Sequence, residues 1–237
     1  MFLRGTRNPD IVNRSRISTS LAAVDLGSVI ERVCFLVPLV IGVGIIGVAG
    51  ELDPGLPGLQ WGLVLFSTFG YTILSVVLAV STFYDSGRIR RRSGPWRPNP
   101  FFNAVLALLW APVAGPIWLY RRHRRFGTDP GSSKWWIVVA ISLVTTLTGL
   151  AMAAIAYLLA FPALIVTGLG LAGAIAFGTF PVAVHQDAAF VCSRSRSWQP
   201  NPGAYLGFAF LSLFVAPLQP VLATYYLLRR RRTIGLY

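Results

Sequence analysis

Long apolar runs dominate the chain, and they predict helices that cross a membrane. The hydrocarbon core of a bilayer is about 30 Å thick, so a helix rising 1.5 Å per residue needs about 20 apolar residues to cross it. Four runs meet this requirement: residues 33–50, 61–84, 135–160 and 162–184. The last two are almost continuous, and Phe161-Pro162 is the predicted break because proline cannot continue a helix cleanly.

Two further apolar segments, 101–120 and 203–228, are ambiguous because each contains a pair of prolines. Their length favours a full crossing of the bilayer. The prolines near their middles leave a re-entrant or surface-lying segment open, although a hairpin that turns at 112–116 would have one very short arm. Taken together, the pattern predicts an all-α polytopic integral membrane protein with six apolar segments, four of them spans and two either re-entrant or spanning.

The six segments are predicted to form two copies of one three-segment unit. A shift of 102 residues places the stretch 85–100 on 187–202 without a gap, with identical residues at seven of the 16 positions. These identities include the motif W-x-P-N-P, which occurs at 96–100 and again at 198–202. We therefore predict a duplicated chain with an N-terminal cytoplasmic segment at 1–29 and membrane repeats at 30–131 and 132–237.

Arginine predicts which ends of the segments face the cytoplasm. The chain carries 21 basic and 8 acidic residues, a net charge of +13. If both proline-bearing segments enter and leave on one side, every basic residue except Arg32 lies on that side. If both cross fully, the basic residues other than Arg32 divide 13 against 7. The positive-inside rule favours the first arrangement, with an arginine-rich cytoplasmic face and both termini inside.

Composition leaves no room for a separate soluble domain. Hydrophobic residues make up 54% of the chain and charged residues 12%, about half their share in soluble domains. The arginines border the apolar runs, which indicates a lipid bilayer with anionic headgroups as the partner and no nucleic acid. The expected location is the cell membrane.

The candidate site residues lie near the ends of the second and fourth spans. There Asp85 and Asp187 could bind a cation or pass protons, but we expect each to be solvated or paired with a neighbouring arginine. In each W-x-P-N-P motif, we expect the Asn to cap the next helix and the Trp to lie among headgroups. The capped helix ends could also bind phosphate headgroups. The candidate headgroup or interface residues are Asp85, Arg92, Trp96, Asn99, Asp187, Arg194, Trp198 and Asn201.

No catalytic or metal-binding set is apparent in the sequence, and no cofactor is predicted. His123 lies among four arginines, and His185 lacks a third ligand. Cys34 and Cys192 have no metal-binding spacing, and a disulfide is not expected. The G-x-G-x-x-G pattern at 42–47 lies inside an apolar run, where glycines are expected to let helices pack closely and not to bind a dinucleotide.

At the W-x-P-N-P motif and the tyrosine-and-arginine endings of the third segments, the chain resembles small multi-pass membrane proteins of halophilic archaea whose function is not assigned. The resemblance implies a multi-pass fold and no functional residue. The leading hypothesis is a non-enzymatic subunit of a membrane complex or an anionic-lipid-binding scaffold, with a membrane-protein partner or a second copy of itself. The alternative is a small transporter or channel for an ion or small solute, because duplication and proline-broken segments are typical of transporters.

Overall fold

The computed structural model describes residues 25–49, 58–91, 94–128, 131–215 and 217–235. Within these ranges the chain forms nine helices and no strand, which confirms the all-α prediction. In chain order they are α1 Leu26–Ala49, α2 Leu59–Arg91, α3 Pro100–Leu109, α4 Ala111–Phe126, α5 Trp135–Leu158, α6 Pro162–Phe177, α7 Phe180–Arg194, α8 Pro202–Leu211 and α9 Leu218–Thr233.

Among the described residues, four helical stretches are long and apolar enough to cross a membrane, as predicted. They are Leu26–Val48, Leu59–Arg91, Trp135–Leu158 and Leu164–Arg194, the last of which comprises α6 and α7. Large apolar side chains are exposed along all four stretches, among them Val48, Phe66, Val144 and Val166. A soluble monomer rarely exposes apolar surface on this scale, so the fold is compatible with a multi-pass membrane protein.

Two of the long helices extend beyond their apolar runs. α1 begins at Leu26 because Oδ1 of Asp25 accepts a hydrogen bond from the Gly27 N–H at 3.0 Å, which caps the first turn. α2 continues to Arg91, and its last turn holds three arginines, which the negative end of the helix dipole favours. Asp85 and Asp187, which follow the apolar runs in sequence, lie inside these helices and are buried.

The predicted break between the third and fourth spans is confirmed. A short turn follows Leu158, with Ala160 at a φ of 56°, and Pro162 begins α6. A second break, which the hydrophobic pattern does not predict, separates α6 from α7 at Gly178-Thr179. Pro181 then lies in the first turn of α7, where its missing N–H removes no intrahelical hydrogen bond.

Each proline-bearing segment forms a hairpin of two short helices. The ends of the first hairpin lie together, because the ring of Trp96, just before α3, is 6.2 Å from the ring of Phe126, the last residue of α4. In the second hairpin, the ring of Trp198, just before α8, is 5.5 Å from that of Tyr226 on α9. α3 has 10 residues, so it is about 15 Å long, half the thickness of the hydrocarbon core.

The two hairpins contact each other through α4 and α8. A Cβ atom at Gly203 would overlap the backbone of Tyr120, so only glycine permits this approach. The side-chain amide of Asn201 also donates a hydrogen bond to the Tyr120 carbonyl at 3.1 Å. The backbone of α4 is therefore held against the start of α8.

The crossing of α5 and α6 depends on a pair of glycines. A Cβ atom at Gly168 would lie 2.6 Å from the carbonyl oxygen of Gly149, and Gly149 is crowded in return by Gly168. Gly168 therefore permits the close packing of α5 against α6. Gly170 and Gly173 do not, because no described atom outside their own helix backbone lies within 4 Å of a Cβ built there.

The difference between these glycines is testable. We expect Gly168→Ala to destabilise the protein by about 1–3 kcal/mol, because the added methyl group forces α5 and α6 apart. Gly170→Ala gains the same helix propensity on the same helix without a clash, so it serves as the control. Thermal unfolding of both variants in detergent measures the difference. Equal stability of the two variants would contradict the close crossing.

Candidate functional site

Asp187 is the centre of a buried polar cluster between α7 and α9. Its Oδ2 accepts a hydrogen bond from the hydroxyl of Tyr226 at 2.7 Å and another from Nε of Arg230 at 2.8 Å. Both charged side chains are buried, with exposed fractions of 0% for Asp187 and 1% for Arg230. The guanidinium also lies 5.6 Å from the ring of Trp136 on α5. The carboxylate of Asp187 therefore has a direct, buried contact with one arginine and one tyrosine.

Asp85 is the centre of a similar cluster between α2 and α4. Its Oδ2 accepts a hydrogen bond from the indole N–H of Trp118 at 3.2 Å and lies 3.4 Å from Nε of Arg122. Arg122 also contacts Asp25, at 3.3 Å, and its side chain is 23% exposed. This cluster is therefore looser and closer to water than the Asp187 cluster.

The two clusters are built in the same way. In each, an aromatic donor and an arginine four residues later lie on one face of a helix, and both reach one carboxylate, on α2 or on α7. The expectation that each Asp pairs with an arginine was correct, but the partners lie 37 and 43 residues away and not nearby. The sequence signal that could have found them is the i, i+4 aromatic–arginine pair at the end of each proline-bearing segment.

The W-x-P-N-P motifs have the predicted capping role. Asn99 accepts hydrogen bonds from the backbone N–H groups of Phe101 and Phe102 at the start of α3, and Asn201 accepts one from Ala204 in α8. The tryptophans have a contact that was not predicted. The ring of Trp96 lies 5.2 Å from that of Trp118, so each motif tryptophan packs on the aromatic residue that binds the buried carboxylate.

The two remaining predicted residues stand apart from these clusters. Arg194 is exposed at the end of α7, with its guanidinium 5.6 Å from the ring of Phe190. Arg92 lies outside the described residues. The structure therefore brings together Asp85 with Trp96, through Trp118, and Asp187 with Trp198, through Tyr226.

A basic pocket and an apolar groove meet at Tyr120, which lines both. The basic pocket has a volume of about 630 Å³ and is lined by Trp96, Tyr120, Arg121, Arg124 and Arg125. The apolar groove has a volume of about 460 Å³ and lies between α4 and α8; among its lining residues are Val113, Pro116, Tyr120, Gly207, Phe208 and Leu211. The arginines of the basic pocket therefore lie beside the apolar groove.

A third group was not expected from the sequence. Glu31 on α1, His123 on α4 and His185 on α7 each place one potential ligand atom within 4.8 Å of the other two. The expectation that His185 lacks a third ligand was therefore wrong. Sequence analysis missed the group because its members are far apart in the chain and come from different apolar segments. No sequence motif carries it.

Comparison with known proteins does not assign the chain to a family. No family model matches it, and neither a curated protein nor a solved structure is significantly similar to it. The resemblance to multi-pass proteins of halophilic archaea stays a prediction. Function is therefore argued from the geometry of the chain itself.

The two carboxylates are expected to differ in their effect on stability. Asp187→Asn leaves the buried guanidinium of Arg230 without an opposing charge, and we expect a loss of about 3–5 kcal/mol in the free energy of unfolding. Asp85→Asn should cost less, because Arg122 is partly exposed and keeps its contact with Asp25. Thermal unfolding of both variants, measured in detergent and again in proteoliposomes, checks this order of stability.

A double variant separates lost charge pairing from lost packing. Asp187→Leu combined with Arg230→Met removes both charges and is expected to recover most of the stability lost in Asp187→Asn. Equal unfolding temperatures for Asp85→Asn and Asp187→Asn would contradict the expected order, because the buried pair of Asp187 and Arg230 would then stabilise the protein no more than the pair of Asp85 and Arg122.

Proposed function

We propose that the chain is a non-enzymatic membrane scaffold that binds an anionic phospholipid on its arginine-rich side. The observation that carries the proposal is the junction at Tyr120, where the basic pocket meets the apolar groove. A phospholipid has the same two parts in the same order, a charged headgroup joined to apolar chains. The pocket takes the phosphate and the groove takes one acyl chain.

The pocket arginines suit a phosphate group. Arg121, Arg124 and Arg125 are exposed, and none of them forms an ion pair with a carboxylate of the described residues. A guanidinium can donate two parallel hydrogen bonds to a phosphate, which makes arginine better suited to this ligand than lysine. Trp96 and Tyr120 add amphipathic rings of the kind found at headgroup depth.

The apolar groove suits an acyl chain that enters from the side. Gly203 and Gly207 line the groove on the α8 side, and Pro112 and Pro116 line it on the α4 side. Large apolar residues at its rim are exposed, among them Trp110, Phe208 and Phe214. A lipid chain can therefore pass between the groove and the surrounding bilayer without crossing a polar barrier.

The proposal includes a topology in which the two hairpins are re-entrant and the two repeats are parallel. The return of α4 to the start of α3 supports it, as does the equivalent contact between Trp198 and Tyr226. Arg122 further joins the start of α1 and the end of α2 through Asp25 and Asp85. Basic residues lie in the last turns of α2, α4, α7 and α9, and we assign that side to the cytoplasm.

The likeness of the two carboxylate clusters supports duplication of the chain. The motif residues are separated by 102 positions, whereas Trp118 and Arg122 are separated from Tyr226 and Arg230 by 108. Five of the six positions by which these separations differ lie in the connection within each hairpin, which is Trp110 alone in the first and residues 212–217 in the second. A short insertion in the second hairpin therefore accounts for most of the change in register.

A small transporter is the second candidate, and one observation favours it. The helix break at Gly178-Thr179 resembles the discontinuous helices that form substrate sites in many secondary transporters. The hairpins favour the scaffold, because two crossings and a hairpin per repeat make the repeats parallel and not inverted. Solute-dependent flux in proteoliposomes would move the transporter ahead of the scaffold.

The lipid proposal predicts a specific loss of binding. Replacing Arg121, Arg124 and Arg125 together by glutamine is expected to weaken the binding of phosphatidylglycerol on the order of a hundredfold, at about 1 kcal/mol per basic residue. Native mass spectrometry of the protein in detergent, titrated with phosphatidylglycerol and with neutral phosphatidylcholine, measures the change.

The matched control removes the same charge elsewhere. Arg229, Arg231 and Arg232 are exposed at the end of α9 and lie outside the pocket, so their replacement by glutamine should leave most of the binding intact. Leu211→Trp fills the groove without changing the charge and should also weaken binding. Equal losses in the two arginine variants would show nonspecific attraction and would count against a site at Tyr120.

The topology predicts the sidedness of two connections. A cysteine at the exposed Ser132, in a chain with Cys34→Ala and Cys192→Ala, is expected to react with a membrane-impermeant thiol reagent only after cell lysis. A cysteine at the exposed Ala160, between α5 and α6, should react in intact cells. Labelling at position 132 together with protection at position 160 in intact cells would mean that the first hairpin segment crosses the membrane fully, which would contradict this topology.

A further inference from the structure

We propose that Glu31, His123 and His185 bind a divalent transition-metal ion of the Zn²⁺ class. The three side chains come from α1, α4 and α7 and converge at one point, away from the basic pocket. The inference goes beyond lipid binding and does not depend on it.

The distances suit a shared ion. Nε2 of His123 lies 3.4 Å from Oε1 of Glu31. Two ligands of a tetrahedral zinc ion, each bonded at about 2.0–2.1 Å, lie about 3.4 Å apart. His185 completes the set, with its ring centroid 5.6 Å from that of His123. The potential ligand atoms of the three residues lie within 4.8 Å of one another, so side-chain rotation can bring His185 to the same ion.

His123 is oriented as metal-binding histidines are. Its Nδ1 lies 3.4 Å from the carbonyl oxygen of Gly127, to which an Nδ1–H can donate. In that tautomer Nε2, on the side of Glu31, carries no proton. Metal-binding histidines commonly donate their second ring N–H to a backbone carbonyl in this way, which fixes both tautomer and ring orientation.

His185 supplies the independent sign of a ligand. The side chain is 1% exposed, and neither of its ring nitrogens has a hydrogen-bond partner among the described residues. The described contacts of the ring are aromatic, with Phe35 at 5.1 Å and with His123. A buried polar group without a partner is costly, and a bound metal ion satisfies one of these nitrogens.

The ligand set selects the class of ion. Two imidazoles and one carboxylate suit Zn²⁺ and its first-row neighbours, whereas Mg²⁺ and Ca²⁺ prefer about six or more oxygen ligands. The arginines beside His123 in the sequence do not oppose a cation. Arg121, Arg124 and Arg125 are exposed while His123 is buried, and Arg122 contacts Asp25 and Asp85. Glu31, with 25% of its side chain exposed, leaves the ion a route from water.

Metal stoichiometry tests the site directly. The full chain, purified in detergent with a tag that contains no histidine, is loaded with Co²⁺ or Zn²⁺ and passed over a chelating resin. We expect about one ion per chain and, for Co²⁺, the strong visible absorption of a tetrahedral site. A higher melting temperature with the ion than without it is also expected, because the ion binds only the folded arrangement of three helices.

Variants decide whether these residues hold the ion. His185→Leu, which keeps the site apolar, should abolish binding, and the partly exposed Glu31→Gln should weaken Co²⁺ affinity by more than about tenfold. Cys192→Ala, on the same helix as His185 but outside the cluster, should retain the full stoichiometry. A wild-type chain that binds no more metal than His185→Leu overturns the proposal. So does full retention of Co²⁺ by the folded Glu31→Gln and His185→Leu variants.

Discussion

The contact between a buried carboxylate and an arginine on the last helix of each half is the constraint on which the rest of the structure depends. A charge buried without its partner costs several kcal/mol, so Asp187 and Arg230 must stay together once α7 and α9 are packed. Asp85 and Arg122 join α2 and α4 in the same way. Prolines interrupt the hairpin segments but do not set the direction in which the chain returns. The charged contacts decide that each hairpin returns to the end at which it starts.

The contact between Asp85 and Arg122 also sets the orientation of α4. Successive residues on a helix point about 100° apart, so fixing Arg122 on Asp85 fixes the directions of its neighbours. His123 then faces Glu31 and His185 in the interior. Arg121 and Tyr120 face the basic pocket on the outside. A single helix thus separates the basic pocket from the group formed by Glu31, His123 and His185, although Arg124 of the pocket follows His123 directly in sequence.

The two halves share this plan but do not have the same surfaces. Where α8 has Gly203 and Gly207, α3 has Phe101 and Val105 at the equivalent positions. Glycine lets α8 approach the backbone of Tyr120, whereas the phenylalanine in α3 is exposed. The close contact between hairpins, and with it the apolar groove, therefore forms once. The difference at these two positions makes α8, and not α3, the helix that packs closely against the other hairpin.

The apolar runs by themselves determined the helical class, the four long stretches and the break at Phe161-Pro162, because hydrophobic length and proline act locally. The capping roles of Asn99 and Asn201 were equally local. Only the tertiary structure decided which arginine meets which aspartate, since that depends on how far each hairpin folds back. It also decided the meeting of Glu31, His123 and His185, which no spacing in the sequence encodes. The observed helix ends differ from the ends of the predicted apolar runs. Hydropathy shows where a helix is apolar, whereas caps and charged contacts decide where it begins and ends.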